Sequence, residues 1–196
     1  MVKPEPVDFM VDTVDILEHL GMVQNGIQVL DVGCGPADWG RTLLAKGYKL
    51  KYLGLDCQLR AAMKRIPGLT LRHLDVYNGH YNPNGRLLPS EVVFPVNEAS
   101  MDLVIAHSLF THLGNYSNAE SYMAQVERAL KLGGYLWITF FQSPPNKMST
   151  GFARSVYTQD QISWLLQRFT YIKSIGGFTD GYNDQLMVAA RYDGQA

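Results

Sequence analysis

The stretch of sequence that decides the fold is Val29-Leu30-Asp31-Val32-Gly33-Cys34-Gly35-Pro36-Ala37-Asp38-Trp39-Gly40. It begins with an apolar strand, which leads to a glycine turn and then to a helix. Two glycines separated by one residue let the backbone turn sharply and approach a ligand closely, since neither carries a Cβ atom. The helix that follows directs the N–H groups of its first turn at an anionic part of that ligand. Asp56 ends a second apolar strand, and its carboxylate suits the two hydroxyls of a ribose. The arrangement predicts a site for a nucleoside cofactor.

The residues around the turn discriminate between cofactors. A dinucleotide site favours a third glycine three positions after the second, where the helix packs under a pyrophosphate. Asp38 occupies that position here, and an acid facing phosphates argues against NAD. A carboxylate at Asp31 suits a ligand that carries an ammonium or sulfonium cation. S-adenosylmethionine carries both cations, so the turn favours this cofactor.

The chain resembles the class I S-adenosylmethionine-dependent methyltransferases over almost its whole length. The motifs that carry the resemblance stand in the family's order and are residues 29–36, Leu53-Gly54-Leu55-Asp56, Leu71-Arg72-His73-Leu74-Asp75-Val76, Met101-Asp102-Leu103-Val104-Ile105-Ala106-His107-Ser108 and Leu130-Lys131-Leu132-Gly133-Gly134-Tyr135-Leu136. Phe94-Pro95 and Ser108-Leu109-Phe110-Thr111-His112-Leu113 are similar to a group of small bacterial-type methyltransferases. Ala37 departs from the pattern, since the family commonly has glycine there, and the approach to the cofactor is expected to be more crowded.

The resemblance implies a Rossmann-like α/β fold, S-adenosyl-L-methionine as the cofactor and methyl transfer as the activity. It implies that Gly33 and Gly35 lie along the methionine part of the cofactor and that His107 lies beside its methionine end. It also implies that Asp75 and the backbone of Val76 hold the adenine. The predicted cofactor-binding residues are Asp31, Gly33, Cys34, Gly35, Asp56, Cys57, Asp75, Val76 and His107.

Composition favours one domain over residues 1–196, because 46% of the residues are hydrophobic and 18% are charged, which suits a sizeable core. The net charge of −1 is unlike that of a protein that holds nucleic acid through its phosphates, so a nucleic-acid partner is disfavoured. Cys34 and Cys57 are too few for a disulfide framework, which favours a cytoplasmic protein. We expect both to be small buried residues, with a redox-sensitive pair as the alternative. No apolar stretch approaches the ~20 residues that cross a bilayer, and the sequence does not indicate an oligomeric state.

Strand and helix signals alternate along the chain, which predicts a doubly wound, mostly parallel seven-stranded sheet with helices on both faces. Apolar residues at helical spacing predict a helix over 6–20 that covers the cofactor site or packs on the sheet. Ser117-Asn118-Ala119-Glu120 and Thr158-Gln159-Asp160-Gln161 each predict a capping box that opens a helix. The tail over 171–192 predicts a C-terminal antiparallel hairpin.

Two predicted connections, 77–100 and 142–157, exceed the ~12–15 residues of ordinary loops, and loops of that length usually carry function. The first is rich in aromatic and turn residues, which favours an ordered lid over the site. The second follows the fifth strand, and ligands of open α/β sheets bind outside the carboxyl ends of the strands. Both connections are therefore predicted to be lid elements that select the methyl acceptor.

His107 and His112 follow the fourth strand, beside the expected position of the methyl group. Positioning supplies much of the rate of an in-line methyl transfer, but a protonated oxygen or nitrogen acceptor must also lose its proton. A histidine can take that proton, so both are candidate catalytic bases. The alternatives are a cofactor contact for His107 and bracing of the following turn for His112. No metal site is expected, because His73, Asp75 and His80 fall in different local structures.

Aromatic side chains near the expected acceptor are candidates for the walls of its site, with core packing as the alternative. The predicted substrate-contacting residues are Tyr81, Phe110, Tyr116 and Phe141. The sequence therefore predicts methyl transfer from S-adenosylmethionine to an oxygen or nitrogen of a small-molecule acceptor. The alternatives are a methyltransferase acting on RNA or protein, a catalytically silent S-adenosylmethionine-binding module, and a nicotinamide oxidoreductase.

Overall fold

The helices and strands alternate along most of the chain in the computed structural model, which describes residues 8–58, 66–142, 151–176 and 185–194. The helices are α1 (Asp8–His19), α2 (Asp38–Ala45), α3 (Tyr116–Ala129) and α4 (Gln159–Leu165). The strands are β1 (Gln28–Val32), β2 (Lys51–Asp56), β3 (Thr70–His73), β4 (Met101–Ala106), β5 (Leu130–Gln142), β6 (Val156–Tyr157), β7 (Phe169–Gly176) and β8 (Gln185–Tyr192). Short 3₁₀ turns cover Pro89–Glu91 and Phe110–His112.

The strands form one sheet in the order β3-β2-β1-β4-β5-β8-β7. Strands β1 to β5 pair in parallel, and β8 runs antiparallel to both β5 and β7. The predicted Rossmann-like, mostly parallel α/β fold with C-terminal antiparallel strands is thus confirmed. The two-residue strand β6 pairs with the end of β5 as an addition, and it is too short for hydrophobic periodicity to reveal.

Apolar clusters cover the two faces of the sheet. Along β4, Val104 and Ala106 belong to the cluster under α3 and α4, whereas Leu103 and Ile105 belong to the cluster under α1 and α2. This alternation follows from the two-residue side-chain period of a strand. The described side chains of α1 include Val14, which is fully buried in the second cluster, so this part of the helix packs with the layer beside the sheet. Residues 6 and 7 of the predicted helix lie outside the described residues.

The predicted start of α3 is wrong by two residues. The side chain of Asn115 caps the helix by accepting a hydrogen bond of 2.9 Å from the backbone N–H of Asn118. An asparagine is as good an N-cap as a serine, so Ser117 falls inside the helix instead of opening it. The capping box of α4 is confirmed, because Thr158 and Gln161 each accept from the other's backbone N–H.

The long connection over 77–100 is ordered and has two parts. Residues 77–82 form a tight turn in which Asn78 and Asn82 exchange backbone hydrogen bonds of 3.0 and 2.9 Å. Further along, Val92 and Phe94 are buried in the cluster under α3. Of the second connection, residues 143–150 lie outside the described part of the chain, as does the tip of the β7–β8 hairpin over 177–184. None of the described helices is long and apolar enough to span a membrane.

Candidate active site

A cavity of about 500 Å³ lies at the carboxyl ends of β1, β2 and β4. The chain continues from β1 to β2 on one side and from the neighbouring β4 to β5 on the other. Open α/β sheets bind ligands at such a reversal of strand order. We call one part of the cavity the turn end, and it is lined by Val32, Gly33, Gly35, Pro36 and residues 55–58. The histidine end is lined by side chains from three separate segments, namely Tyr77, Asn78, Tyr81, His107, Ser108, Leu109, His112, Leu113 and Phe152.

The glycine turn brings bare backbone to the cavity wall. Gly33 and Gly35 have φ angles of 77° and 48°, which a residue with a Cβ atom adopts only at a cost. Ala37 also has a positive φ, 60°, but it is fully buried and is not among the cavity-lining residues. The replacement of the family's glycine by alanine therefore strains the backbone instead of crowding the cavity.

Asp56 is held at the wall of the turn end by backbone donors from two segments. Its Oδ2 accepts a hydrogen bond of 2.8 Å from the N–H of Gly35, and its Oδ1 accepts one of 2.6 Å from the N–H of Gln58. These bonds couple the end of β2 to the glycine turn. The carboxylate is thereby fixed beside the turn, where the sequence predicts the ribose of the cofactor.

Two predicted cofactor-binding residues lie behind the turn and do not line the cavity. Asp31 is only 1% exposed and accepts a hydrogen bond from the hydroxyl of Tyr52, because alternation along β1 turns its side chain toward the α2 layer. Burial raises the pKa of Asp31 to about 7. Cys34 is also buried, and its Sγ would lie 2.8 Å from a Cβ atom added at Gly54.

The remaining cofactor-binding predictions divide in the same way. Cys57 lines the cavity, and burial raises the pKa of its thiol to about 12, so the thiol stays protonated at neutral pH. Val76 lines the cavity as well, whereas Asp75 is not among the lining residues. The carboxylate of Asp75 forms an ion pair of 2.6 Å with Arg86 and accepts from the side chain of Asn82. The hydrogen bond from Arg86 has the largest effect, and with that from Asn82 it holds the pKa of Asp75 below its usual value.

The two histidines of the cavity carry their ring protons on opposite nitrogens. Trp137 Nε1 can only donate, and it lies 3.4 Å from Nδ1 of His107, so this nitrogen is the acceptor and the neutral ring carries its proton on Nε2. His112 Nδ1 lies 3.2 Å from the carbonyl oxygen of Phe152, which can only accept. In His112 the proton is therefore on Nδ1 and the lone pair is on Nε2.

The lone pair of His112 belongs to a linked group of side chains. Nε2 lies 3.4 Å from the hydroxyl oxygen of Tyr81, which also lines the cavity. Burial is the main cause that lowers the pKa of His112. The ring therefore stays neutral down to a lower pH than an ordinary histidine does. An unprotonated imidazole nitrogen beside a hydroxyl can remove a proton from a bound O–H or N–H group.

Asn78 links the residues of this group by hydrogen bonds, although no sequence pattern singles it out. Its Nδ2 donates to the carbonyl oxygen of His112 over 2.9 Å, and its Oδ1 accepts from the N–H groups of His80 and Tyr81, each over 3.0 Å. The carbonyl oxygen of Tyr81 accepts in turn from the side chain of Gln58 at the turn end. The 77–82 turn therefore bridges the two ends of the cavity.

Three of the four predicted substrate-contacting residues do not line the cavity. Phe110 is fully buried and packs edge-on against Phe140, so the prediction that it forms a substrate wall is corrected to a core role. Phe141 is 5% exposed and lies under the guanidinium group of Arg154, and Tyr116 packs against the cluster under α3. Tyr81 does line the cavity. Among the described residues, no group of His, Cys, Asp or Glu side chains could hold a metal ion.

Comparisons with known proteins agree with this geometry. A family model described as a methyltransferase domain matches residues 30–136, which is more than half of the chain. A structure described as a SAM-dependent methyltransferase from Methanosarcina mazei is 18% identical with a TM-score of 0.64, over 89% of this chain and 96% of that chain. The 1,6-didemethyltoxoflavin-N1-methyltransferase of Burkholderia thailandensis is 19% identical with a TM-score of 0.66, over 95% of this chain and 78% of that chain. Phosphoethanolamine N-methyltransferase 2 of Haemonchus contortus is 16% identical with a TM-score of 0.65, over 93% of this chain and 52% of that chain. The chain thus belongs to the methyltransferase domain family, as an enzyme with the fold and cofactor of the class I S-adenosylmethionine-dependent methyltransferases.

Proposed function

We propose that this enzyme transfers a methyl group to an oxygen or nitrogen of a small-molecule acceptor and that His112 is its catalytic base. The observation that carries the proposal is the lone pair on Nε2 of His112, which the contact of Nδ1 with the Phe152 carbonyl fixes at the cavity. His107 has the opposite proton arrangement, so we assign it a donor role and not that of the base.

The turn end fits the methionine and ribose parts of S-adenosylmethionine. Gly33 and Gly35 offer backbone without Cβ atoms, Asp56 offers carboxylate oxygens to hydroxyl groups, and Val76 borders the place of the adenine. When bound, the cofactor supplies an electrophilic methyl group on a positively charged sulfur. Asp31 contributes from behind the turn, by supporting β1 through Tyr52, and not by direct contact.

The histidine end supplies the position and the base for the acceptor. The proton of the acceptor passes to Nε2 of His112, and the freed electron pair forms the new bond to the methyl carbon. The cofactor would supply that methyl group and, as the leaving group, keep the electrons of the carbon–sulfur bond. Because the burial of His112 lowers its pKa, the base stays unprotonated at neutral pH. A positioned base contributes a rate factor of roughly 10² to 10⁴, and orientation of the reactants contributes the rest.

The size of the cavity and the turn beside it favour a small acceptor over a macromolecule. A volume of about 500 Å³ lies within the usual range of small-molecule sites, roughly 300 to 1,000 Å³. The 77–82 turn lies across the cavity from Gln58 to His112, which narrows the access of a polymer chain. The toxoflavin-type and phosphoethanolamine methyltransferases named above, which share the fold, are named for small acceptors.

The first test separates the proposed function from its alternatives. Calorimetric titration with S-adenosylmethionine and NAD should give binding of the first alone. Radiolabelled methyl groups should then enter the small-molecule fraction of a cell extract. Label in the RNA or protein fraction would overturn the small-molecule assignment, and cofactor binding without any transfer would favour a silent binding module.

The second test concerns His112. Replacement His112→Gln should lower kcat/KM by roughly 10²- to 10⁴-fold while cofactor affinity stays unchanged. In the wild type, kcat/KM should decline with acid below the usual histidine pKa, because the pKa of His112 is lowered by burial. His19→Gln, at an exposed position of α1, is the matched control. An unchanged rate in the His112 variant would remove the histidine from the mechanism.

A further inference from the structure

We infer that the acceptor carries a single aromatic or heteroaromatic ring with an ionisable O–H or N–H group, and that Phe152 sets the size of ring that the enzyme accepts. This inference rests on the proposed function, because it places the acceptor at His112. The observations behind it are the aromatic rings that line the histidine end and the contact between the Tyr81 hydroxyl and the His112 ring.

Two edge-to-face ring pairs form the wall of the histidine end. The rings of Tyr77 and Phe152 have centroids 5.5 Å apart at 89°, and those of Tyr81 and His112 have centroids 5.1 Å apart at 88°. All four side chains line the cavity. Aromatic rings favour a further ring in offset or edge-on contact, beyond the gain from area alone. A flat ring is therefore the body that this wall binds best.

Two polar atoms of the wall lie next to each other. The hydroxyl of Tyr81 and Nε2 of His112 lie 3.4 Å apart, which is close enough for one acceptor atom to contact both. A hydroxyl or ring N–H placed there donates its proton toward Nε2 and accepts from the Tyr81 hydroxyl. One polar group on an otherwise apolar ring matches this distribution of polar atoms.

Phe152 is held in place by two glycines, so it is a fixed wall. A Cβ atom added at Gly79 would lie 2.9 Å from Cδ2 of the Phe152 ring, and one added at Gly114 would lie 2.9 Å from Cε1. The ring thus lies directly on two stretches of backbone from different segments. Ser155 anchors the same segment, since its N–H donates to the Thr111 carbonyl and its hydroxyl accepts from the N–H of Gly114, each over 2.7 Å.

The fixed position of Phe152 limits the room for the acceptor. The cavity of about 500 Å³ must hold the nucleoside cofactor as well as the acceptor. Packed interiors do not yield freely to added volume, so a second fused ring meets the Phe152 side chain. Removing that side chain is expected to admit the larger ring system.

The experiment measures binding of phenol, cyclohexanol and 1-naphthol by calorimetry, with the enzyme saturated by S-adenosylhomocysteine. The wild type should bind phenol roughly two- to tenfold tighter than cyclohexanol, which also has a six-membered carbon ring and a hydroxyl group but is not aromatic. Phe152→Ala should raise the affinity ratio of 1-naphthol to phenol by roughly tenfold or more. Phe152→Leu keeps most of the side-chain volume, so it should lower the preference for phenol over cyclohexanol and still exclude 1-naphthol.

Trp164→Leu is the matched control, because Trp164 is an exposed aromatic residue of α4 that is not among the lining residues. It should leave both affinity ratios unchanged, and thermal melting of each variant reports whether it folds. Equal binding of phenol and cyclohexanol by the wild type, or a ratio of 1-naphthol to phenol that Phe152→Ala leaves unchanged, overturns the inference while the proposed function stands. Failure of S-adenosylhomocysteine itself to bind overturns the proposed function and the inference with it.

Discussion

The turn end and the histidine end of the cavity are built in different ways. At the turn end, backbone conformation at Gly33 and Gly35 and the carboxylate of Asp56 define the site, and all three lie at the ends of neighbouring strands. At the histidine end, side-chain-to-backbone hydrogen bonds join Asn78, His112 and Phe152 across 34 and 40 residues of sequence. The proposed donor site is therefore a property of the sheet, whereas the proposed acceptor site depends on individual side chains. Single substitutions should change acceptor choice without loss of the fold or of cofactor binding.

Phe110 belongs to neither end of the cavity, although it follows β4 and lies between the two histidines in sequence. Phe110→Ala should lower the free energy of unfolding by about 3 to 5 kcal/mol, because a fully buried phenyl ring leaves a cavity when it is removed. Urea denaturation measures this change. Tyr81→Phe, which removes only a hydroxyl group at the cavity wall, should cost much less stability.

The opposite result at Phe110 would restore its predicted role in the acceptor site. A variant with nearly unchanged unfolding free energy but impaired binding of the acceptor would place the ring in the cavity wall. Phe110→Leu separates the two roles further, because it keeps most of the core volume and should recover a large part of the stability.

The turn end is tested most directly at Asp56. Asp56→Ala should weaken S-adenosylhomocysteine binding by roughly 1.5 to 3 kcal/mol, the usual effect of losing a hydrogen bond to a charged group. The backbone N–H groups of Gly35 and Gln58 lose their acceptor in the same variant. Calorimetry measures the affinity, and the acceptor ratios at the histidine end should not change.

Two controls accompany the Asp56 variant. Asp56→Asn keeps one oxygen acceptor and should retain part of the affinity, and Asp160→Ala removes an exposed acid from α4 and should have no effect. Unchanged affinity in Asp56→Ala would show that the ribose lies elsewhere.

The difference between the two ends explains how much the sequence predicts. The strand–turn–helix pattern around Gly33 and the position of Asp56 are local signals, so the fold and the proposed place of the cofactor follow from them. The turn motif predicts that Asp31 contacts the cofactor, but the two-residue period of β1 directs its side chain behind the turn. The motif does not encode this direction. The parts played by Asn78 and Phe152 depend on contacts between distant segments. Residue type alone cannot reveal such contacts, and it did not distinguish the wall residue Tyr81 from the core residue Phe110.

Asn78→Ala tests the hydrogen bonds of the histidine end and leaves its aromatic rings in place. This change removes the donor to the His112 carbonyl and the acceptor of the His80 and Tyr81 N–H groups, at a cost of about 1 to 3 kcal/mol for the groups left unpaired. Because Asn78 positions His112 and Tyr81, kcat should fall more than cofactor affinity. Steady-state kinetics and calorimetry with S-adenosylhomocysteine measure the two quantities.

Conservative and distant variants distinguish positioning from general damage at Asn78. Asn78→Asp keeps the acceptor for the two N–H groups and should recover part of kcat, whereas Asn84→Ala changes an exposed residue of the same loop and should alter nothing. The assignment fails if the loss in Asn78→Ala lies in cofactor affinity with kcat intact.

A further prediction concerns the pH dependence of stability and the buried carboxyl group of Asp31, which lies behind the turn end. Burial raises the pKa of Asp31 from 3.8 to about 7, so the folded protein holds this proton more tightly than the unfolded chain. The contribution is fully present below about pH 4 and is lost as the pH rises through 7, with a slope of at most about 1.4 kcal/mol per pH unit. Urea denaturation between pH 4 and 8 measures the slope.

Asp31→Asn isolates this contribution, because it removes the titrating group and keeps an oxygen that accepts from the Tyr52 hydroxyl. The unfolding free energy of the variant, relative to the wild type, should rise between pH 4 and pH 7 and then level off. Other carboxyl groups, such as Asp75 with its lowered pKa, titrate in both proteins and cancel in the difference. A constant difference would mean that Asp31 is ionised in the fold. Its charge would then act on the cofactor from behind the turn, and the contrast between a site built of backbone and a site built of side chains would weaken at this position.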